Sequence, residues 1–327
     1  MSRIPGPGVS RILGLVESPA QLLNAVEWAY AEQADARLIV LGPTEPMTRF
    51  QLHRLSELVR GDGFVVEWAE VRVSARPLQV LPRLARLVRD AETLVIGDTY
   101  SGLIQGLLNC AVEPAIVVVD DGTATLRYAE QWADGSVLKR WHLARQPRSA
   151  RLLGGRAQWL LGNRSSAVRL FTAMPLTTDL PRTPNAYAWV RDRFAAPELV
   201  AGTDLMGSSL VETGVVAEDA YLAGVGRLAA GREVSRYLPH RHESQAKLAS
   251  IERLGVRVVR PDLPMEVWAR RGPIGQEILS FPSTVLHTLP LVLGDTGARV
   301  TPLSVGDDWF TADVRGEEIA FVRGINR

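Results

Sequence analysis

Asp120 and Asp121, followed by Gly122 and Thr123, are the adjacent carboxylates of this chain best suited to proton transfer. At the end of a buried strand two such groups repel, which raises one pKa toward that of a general base, and Gly122 permits a tight turn past them. The same residues also make an ordinary solvated turn or helix cap, and spacing leaves both roles open. Two of the five histidines stand in Tyr237-Leu238-Pro239-His240-Arg241-His242-Glu243. A protonated imidazole there can stabilise or protonate a departing phosphate. Gly207-Ser208-Ser209-Leu210-Val211-Glu212 offers amides and hydroxyls that can hold an anion, or a simple loop. Ser280-Phe281-Pro282-Ser283-Thr284 runs from a strand into a helix whose free N–H groups favour phosphate, with Ser283 as a plain N-cap the alternative. In Glu17-Ser18-Pro19-Ala20-Gln21, Ser18 suits a helix cap, Pro19 its first position and Gln21 a capping box. That corner, together with Asp98 after the strand Thr93–Gly97, also suits the acceptor side of a reaction.

The elements that must position these residues alternate along the chain. Strands are expected at Arg11–Val16, Arg37–Leu41, Phe64–Val73, Thr93–Gly97 and Pro114–Val119, separated by helical patterns to about Gln33, over Thr48–Arg60, Leu78–Arg89 and Gly102–Cys110. Pro114–Val119 is continuously apolar, as for a strand buried on both faces of a parallel sheet. From Leu126 to Tyr187 the rhythm breaks, and Gly135–Arg169 holds eight basic residues and no Asp or Glu. Alternation resumes with strands at Glu198–Met206, Glu233–Leu238, Val256–Val259, Glu277–Phe281 and Arg299–Val305. Helices are expected between them at Glu218–Ala230, Glu243–Leu254, near Pro264–Arg270 and from Ser283. The expectation is α/β: two Rossmann-like domains, 1–190 and 191–327, with a basic helical insert at about 127–187 and a hinge near Pro181–Ala195. Ligands of such sheets bind beyond the carboxyl ends of the strands, where all of the singled-out corners fall.

Composition narrows the classes. The 327 residues carry 37 Lys+Arg against 36 Asp+Glu and are 46% hydrophobic, which excludes disordered, collagen-like and polybasic chains. Only Lys139 and Lys247 are lysines, a bias of GC-rich coding rather than of phosphate binding. The lone Cys110 cannot form an internal disulfide and suits an apolar helix face; no paired-Cys zinc spacing occurs. The opening residues contain no apolar signal core and no run of 18 apolar residues occurs, so a cytoplasmic protein is expected. Dinucleotide, Walker, zincin and hydrolase-elbow motifs are absent, and the near-neutral charge disfavours nucleic acid.

In order and spacing these corners resemble the bacterial sialyltransferases of the GT-B fold, the alpha-2,8-polysialyltransferase and lipooligosaccharide sialyltransferase families, over most of the chain outside the insert. Glu17-Ser18-Pro19-Ala20-Gln21 looks like their Ser-Pro-x-Gln corner, and Asp120-Asp121-Gly122 like their acidic-acidic-Gly motif. His240 stands where they have the His of His-Pro, with Arg241 in place of the proline. Ser283-Thr284 resembles their paired serines, and Pro264-Met265-Glu266 the segment whose Glu contacts cytidine. The resemblance implies two sheets facing across a cleft that closes on a CMP-activated nonulosonic acid, with metal-free inverting transfer to a glycan or glycolipid hydroxyl and no cofactor. Asp121 or Asp120 would be the base and His240 would meet the departing phosphate. Ser208, Ser209, Arg241, Glu266, Ser283 and Thr284 would bind the donor, and Ser18, Gln21 and Asp98 would face the acceptor. Leucines and tryptophans among the arginines of 135–170 further suggest peripheral contact with the inner membrane surface, a solvated helical excursion being the alternative. A non-catalytic nucleotide- or glycan-binding protein of the same fold and a UDP-sugar epimerase are the rival readings.

Overall fold

Apolar four- to six-residue runs build the sheet of the first unit. They are β1 (Ile12–Val16), β2 (Ala36–Leu41), β3 (Val65–Ala69), β4 (Thr93–Ile96), β5 (Ala115–Val119), β6 (Val168–Thr172) and the shorter β7 (Arg182–Pro184), all parallel in the order β3-β2-β1-β4-β5-β6-β7. Four of the five residues of β5 are buried, as a strand covered on both faces requires. The computed structural model describes residues 11–72, 77–133, 157–162, 167–176, 178–231 and 234–325. The chain divides into units Met1–Trp189 and Val190–Arg327.

The strands of the first unit are joined by α1 (Pro19–Ala31), α2 (Pro46–Gly61), α3 (Pro77–Asp90), α4 (Gly102–Leu108) and α5 (Thr123–Ala133). Ser18 caps α1, and Pro19 supplies a first-turn position that has no intrahelical acceptor to lose. Glu45 caps α2, which starts two residues before the expected position, its carboxylate accepting from the Met47 and Thr48 amides. The chain builds β1, β2 and β3 outward, then returns to the other side of β1 for β4. The crevice at that reversal is where such sheets take ligands.

The 127–187 segment is not wholly an insert: β6 pairs with β5, β7 pairs with β6, and both belong to the sheet. Arg-Thr-Pro is too short for periodicity to register, and Val-Arg-Leu-Phe-Thr follows the basic run that broke the strand–helix alternation. A helix at 157–162, here α6, packs Leu160 and Leu161 fully into the core, and the Tyr128 hydroxyl donates to the Leu161 carbonyl at 2.8 Å. Those two leucines therefore do not form an interfacial face, although Trp159 is exposed. The rest of the basic run, with Leu152 and Leu153, lies outside the described residues. Among the described residues no helix is long and apolar enough to cross a membrane. Cys110 is half-buried against the first core.

The expected hinge contains β7 and α7 (Ala188–Arg193), and the division between the two units falls within it. Buried Asn185 donates to Asn24 of α1 at 2.9 Å, and the Trp189 amide donates to buried Glu27 at 2.9 Å.

The second unit repeats the scheme with β8 (Leu199–Met206), β9 (Val234–Leu238), β10 (Arg257–Val258), β11 (Ile274–Ser280) and β12 (Arg299–Pro302), parallel in the order β10-β9-β8-β11-β12. Its helices are α8 (Glu218–Gly231), α9 (Gln245–Arg253), α10 (Met265–Arg271), α11 (Val285–Leu293) and α12 (Gly316–Gly324). Buried Asp204 of β8 ties its neighbours together, accepting two bonds from Arg236 of β9, at 2.7 and 2.6 Å, and the Gly275 amide of β11 at 2.7 Å. Tyr221, Phe281 and Trp309 form the aromatic centre of this core. The α/β expectation is met by both units.

Candidate functional site

Because β1, β4 and β5 are adjacent and parallel, the corners that follow them meet at one end of the first sheet. Ser18 does two things there. Its Oγ accepts the Gln21 amide at 3.2 Å as the cap of α1, and its hydroxyl donates to Asp121 Oδ1 at 3.0 Å. The helix cap and the contact with Asp121 thus share one hydroxyl. Gln21 reaches back past the cap to accept the Glu17 amide at 2.7 Å, a capping box displaced by one residue. Its side chain lies where a Cβ on Gly97 would sit, 2.1 Å from Gln21 Cγ. Asp98 spends Oδ1 on the Tyr100 amide at 2.7 Å and so shapes the turn after β4.

The two carboxylates differ in environment. Asp120 is buried, its Oδ2 accepting the Ala173 amide of the chain beyond β6 at 2.7 Å. Burial pushes its carboxyl up to about 6, with the Thr172 and Thr125 hydroxyls and the Ala173 amide opposing the rise and the charge of Asp121 adding to it. Asp121 is half-buried, turned toward Ser18, and its amide donates to Thr125 at 2.9 Å while Gly122 takes the turn at φ +60°. Asp121 is thus the more exposed carboxylate and is oriented by a hydroxyl, whereas Asp120 is buried with its Oδ2 bound to a backbone amide.

In the second unit β9, β8 and β11 are neighbours, so His240, Ser208–Ser209 and Ser283–Thr284 follow adjacent strands at the same sheet end. His240 is half-buried and its pKa lies well below 6.5, first because of desolvation and then because Arg241, His242 and Lys247 are positive. These surroundings therefore disfavour the protonated imidazole expected there. Its Nδ1 accepts the His242 amide at 3.3 Å, which assigns the proton to Nε2 and leaves that N–H as a donor. Ser208 is buried, with Oγ accepting the Leu210 amide at 3.4 Å, whereas Ser209 is half-buried. Glu266 lies in the first turn of α10 and accepts the Thr288 hydroxyl at 2.7 Å; burial raises its carboxyl, and Thr288 and the charge of Arg241 oppose the rise. Ser283 is not the N-cap of α11: Thr284 holds that position with helical backbone angles and no side-chain cap bond.

Sequence reasoning missed four polar residues beneath these corners. Buried Asn24 donates to the Asp120 carbonyl at 3.0 Å and accepts from Asn185, so it carries the Asp120 turn from below. Its signal was a run of polar residues at three-residue spacing, Gln21, Asn24 and Glu27, on the buried face of α1. Glu243 accepts the His240 amide at 2.6 Å and pairs with Lys247 at 3.1 Å. The three-residue spacing from His240 and the rarity of lysine were the available signals. Among the described residues no cluster of three or more His, Cys, Asp or Glu is arranged to hold a metal ion.

No protein-family model matches this chain, and no curated protein does. Among solved structures, it is similar to a protein from Listeria monocytogenes assigned as a UDP-N-acetylglucosamine 2-epimerase, at 9% identity and a TM-score of 0.48, over 88% of this chain and 78% of that one. A glycosyltransferase from Rickettsia africae is similar at 8% identity and a TM-score of 0.47, over 96% and 88% of the two chains. An E. coli heptosyltransferase holding ADP-2-deoxy-2-fluoro heptose aligns over 93% of each chain at 13% identity and a TM-score of 0.39.

Proposed function

We propose that this chain is a GT-B glycosyltransferase that moves a sialic acid or related nonulosonic acid from a CMP-activated donor to a glycan or glycolipid hydroxyl, with inversion. The observation that carries the reading is the Ser18 hydroxyl on Asp121 at 3.0 Å, at the carboxyl end of a parallel sheet beside its reversal point. Asp121 takes the proton from the acceptor hydroxyl as that oxygen attacks the anomeric carbon and the bond from that carbon to the phosphate oxygen breaks. Such general-base help contributes about 10²–10⁴ in rate. Asp120 and Asn24 hold the Asp121 turn, and Gln21 and Asp98 shape the acceptor corner around it.

The second unit supplies the donor side. Neutral His240 donates its Nε2–H to a phosphate oxygen of the leaving CMP, and the arriving phosphate charge itself favours protonation of the ring. Ser209, the Ser283 and Thr284 hydroxyls and Arg241 add donors, Ser208 supports them from within, and Glu266 receives the ribose or base. No metal enters these steps. The choice of CMP rests on the resemblance of the motif order.

The test is calorimetric binding of CMP, UDP, GDP and ADP, followed by CMP release from CMP-sialic acid with a glycan acceptor. CMP-selective binding that weakens at least tenfold in His240→Ala supports the donor assignment. A rate falling about 10²–10⁴-fold in Asp121→Asn, with CMP affinity unchanged, supports the base. Binding of UDP without CMP, or undiminished transfer by Asp121→Asn, overturns the reading.

A further inference from the structure

Lys247 is one of two lysines among 37 basic residues, and it is entirely buried. Its Nζ donates to the Ser208 carbonyl at 2.9 Å and lies 3.2 Å from a Glu212 carboxylate oxygen and 3.1 Å from one of Glu243. Nζ also lies 4.2 Å from the centre of the Tyr221 ring, close enough for a cation–π contact. A compact ammonium satisfies these directions, whereas a planar guanidinium fork does not.

Glu243 completes the connection to the neighbouring turn. One carboxylate oxygen accepts the His240 amide at 2.6 Å, and the other accepts the Tyr237 hydroxyl at 2.6 Å. With Tyr237 donating to Glu243, its oxygen accepts from the Tyr221 hydroxyl at 2.8 Å, and Tyr221 in turn accepts the Ser208 amide at 3.3 Å. Every proton in this chain of bonds runs toward the Glu243 carboxylate. Gly207 presses on the same group: a Cβ there would lie 2.0 Å from Glu243 Oε1 and 2.5 Å from the Tyr237 hydroxyl. The turn after β8 and the turn after β9 therefore share one buried ion pair.

We propose that Lys247 is a positioning residue that locks these two turns together, setting Ser209 and His240 at the spacing required by one nucleotide phosphate. This rests on the donor-side reading given above. The lock is electrostatic and brittle, because removing one member leaves the others buried without their counter-charge. It also bears on His240, whose ring lies 5.1 Å from that of His242 and whose charged form is disfavoured by Arg241 and His242 of its own turn and by Lys247 of α9.

The test uses the full chain with Lys247→Met, Lys247→Arg and Glu243→Gln, measuring CMP affinity by calorimetry and the Ser209 and His240 amides with the His240 ring titration by NMR. The expected result for Lys247→Met is CMP affinity lowered at least tenfold, both amides displaced and the His240 titration moved upward, with no rescue by Lys247→Arg. If Lys247→Met does not fold, Glu243→Gln must show the displacement of both amides and the weaker CMP binding. CMP affinity within twofold of the parent, or displacement of only one turn, overturns the proposal. Failure of the parent chain to bind CMP, UDP or GDP refutes the donor reading, and the two amides then decide the lock by themselves: joint displacement supports it and independent behaviour overturns it.

Discussion

Asp120→Asn isolates the energetic consequence of placing a second carboxylate beneath the site. The folded carboxyl titrates at about 6, against an ordinary value of 3.8. At 1.36 kcal/mol per pH unit the difference amounts to about 3 kcal/mol. The folded pKa is the higher one, so the native state binds the extra proton and is favoured below 3.8. That advantage is lost as pH rises through 6. About 2 kcal/mol of the change accumulates between pH 4.5 and 7.5. Asparagine has nearly the same shape, can keep its oxygen on the Ala173 amide and does not titrate, so the difference between the two proteins removes the pH dependence of every group not coupled to Asp120. Urea unfolding at several pH values, read by hydrogen exchange of the β4 and β5 amides so that the first unit reports alone, gives that difference. The variant is expected to gain about 2 kcal/mol relative to the parent across this range. A difference constant to within about 0.5 kcal/mol would refute the assignment of a buried, raised carboxyl.

Further consequences follow from individual contacts. Ser18→Ala should cost about 1 kcal/mol of stability through the lost cap and lower transfer by releasing Asp121, with CMP affinity unchanged; calorimetry and turnover separate the two effects. Gly97→Ala places a methyl group 2.1 Å from Gln21 Cγ, whose side chain is held by the Glu17 amide, and should destabilise the first unit by about 1–3 kcal/mol in urea. Undiminished stability there would mean that the corner is looser than its hydrogen bonds indicate. His240→Gln should lessen the acid sensitivity of the second unit. A histidine whose folded pKa is depressed contributes stability above 6.5 that is lost as pH falls toward the folded value. Unfolding midpoints between pH 7.5 and 5 check the direction.

Much of the scaffold was legible in the sequence because it is written locally. The apolar run of β5, the strand–helix alternation and the Ser18-Pro19 helix start depend on residues a few positions apart. The candidate corners were legible for the same reason, since each follows a strand. Which corners meet was decided by strand order: β4 inserts beside β1, and β8 lies between β9 and β11. The two aspartates are equivalent as letters. Only the Ala173 amide, 53 residues away, and the Ser18 hydroxyl, 103 residues away, make one a buried group and the other an accessible one. Likewise Asn24 meets Asn185 across 161 positions, and Lys247 meets the Ser208 carbonyl across 39. Periodicity and capping are properties of neighbouring residues, whereas desolvation and long-range hydrogen bonds exist only once distant strands have been brought together.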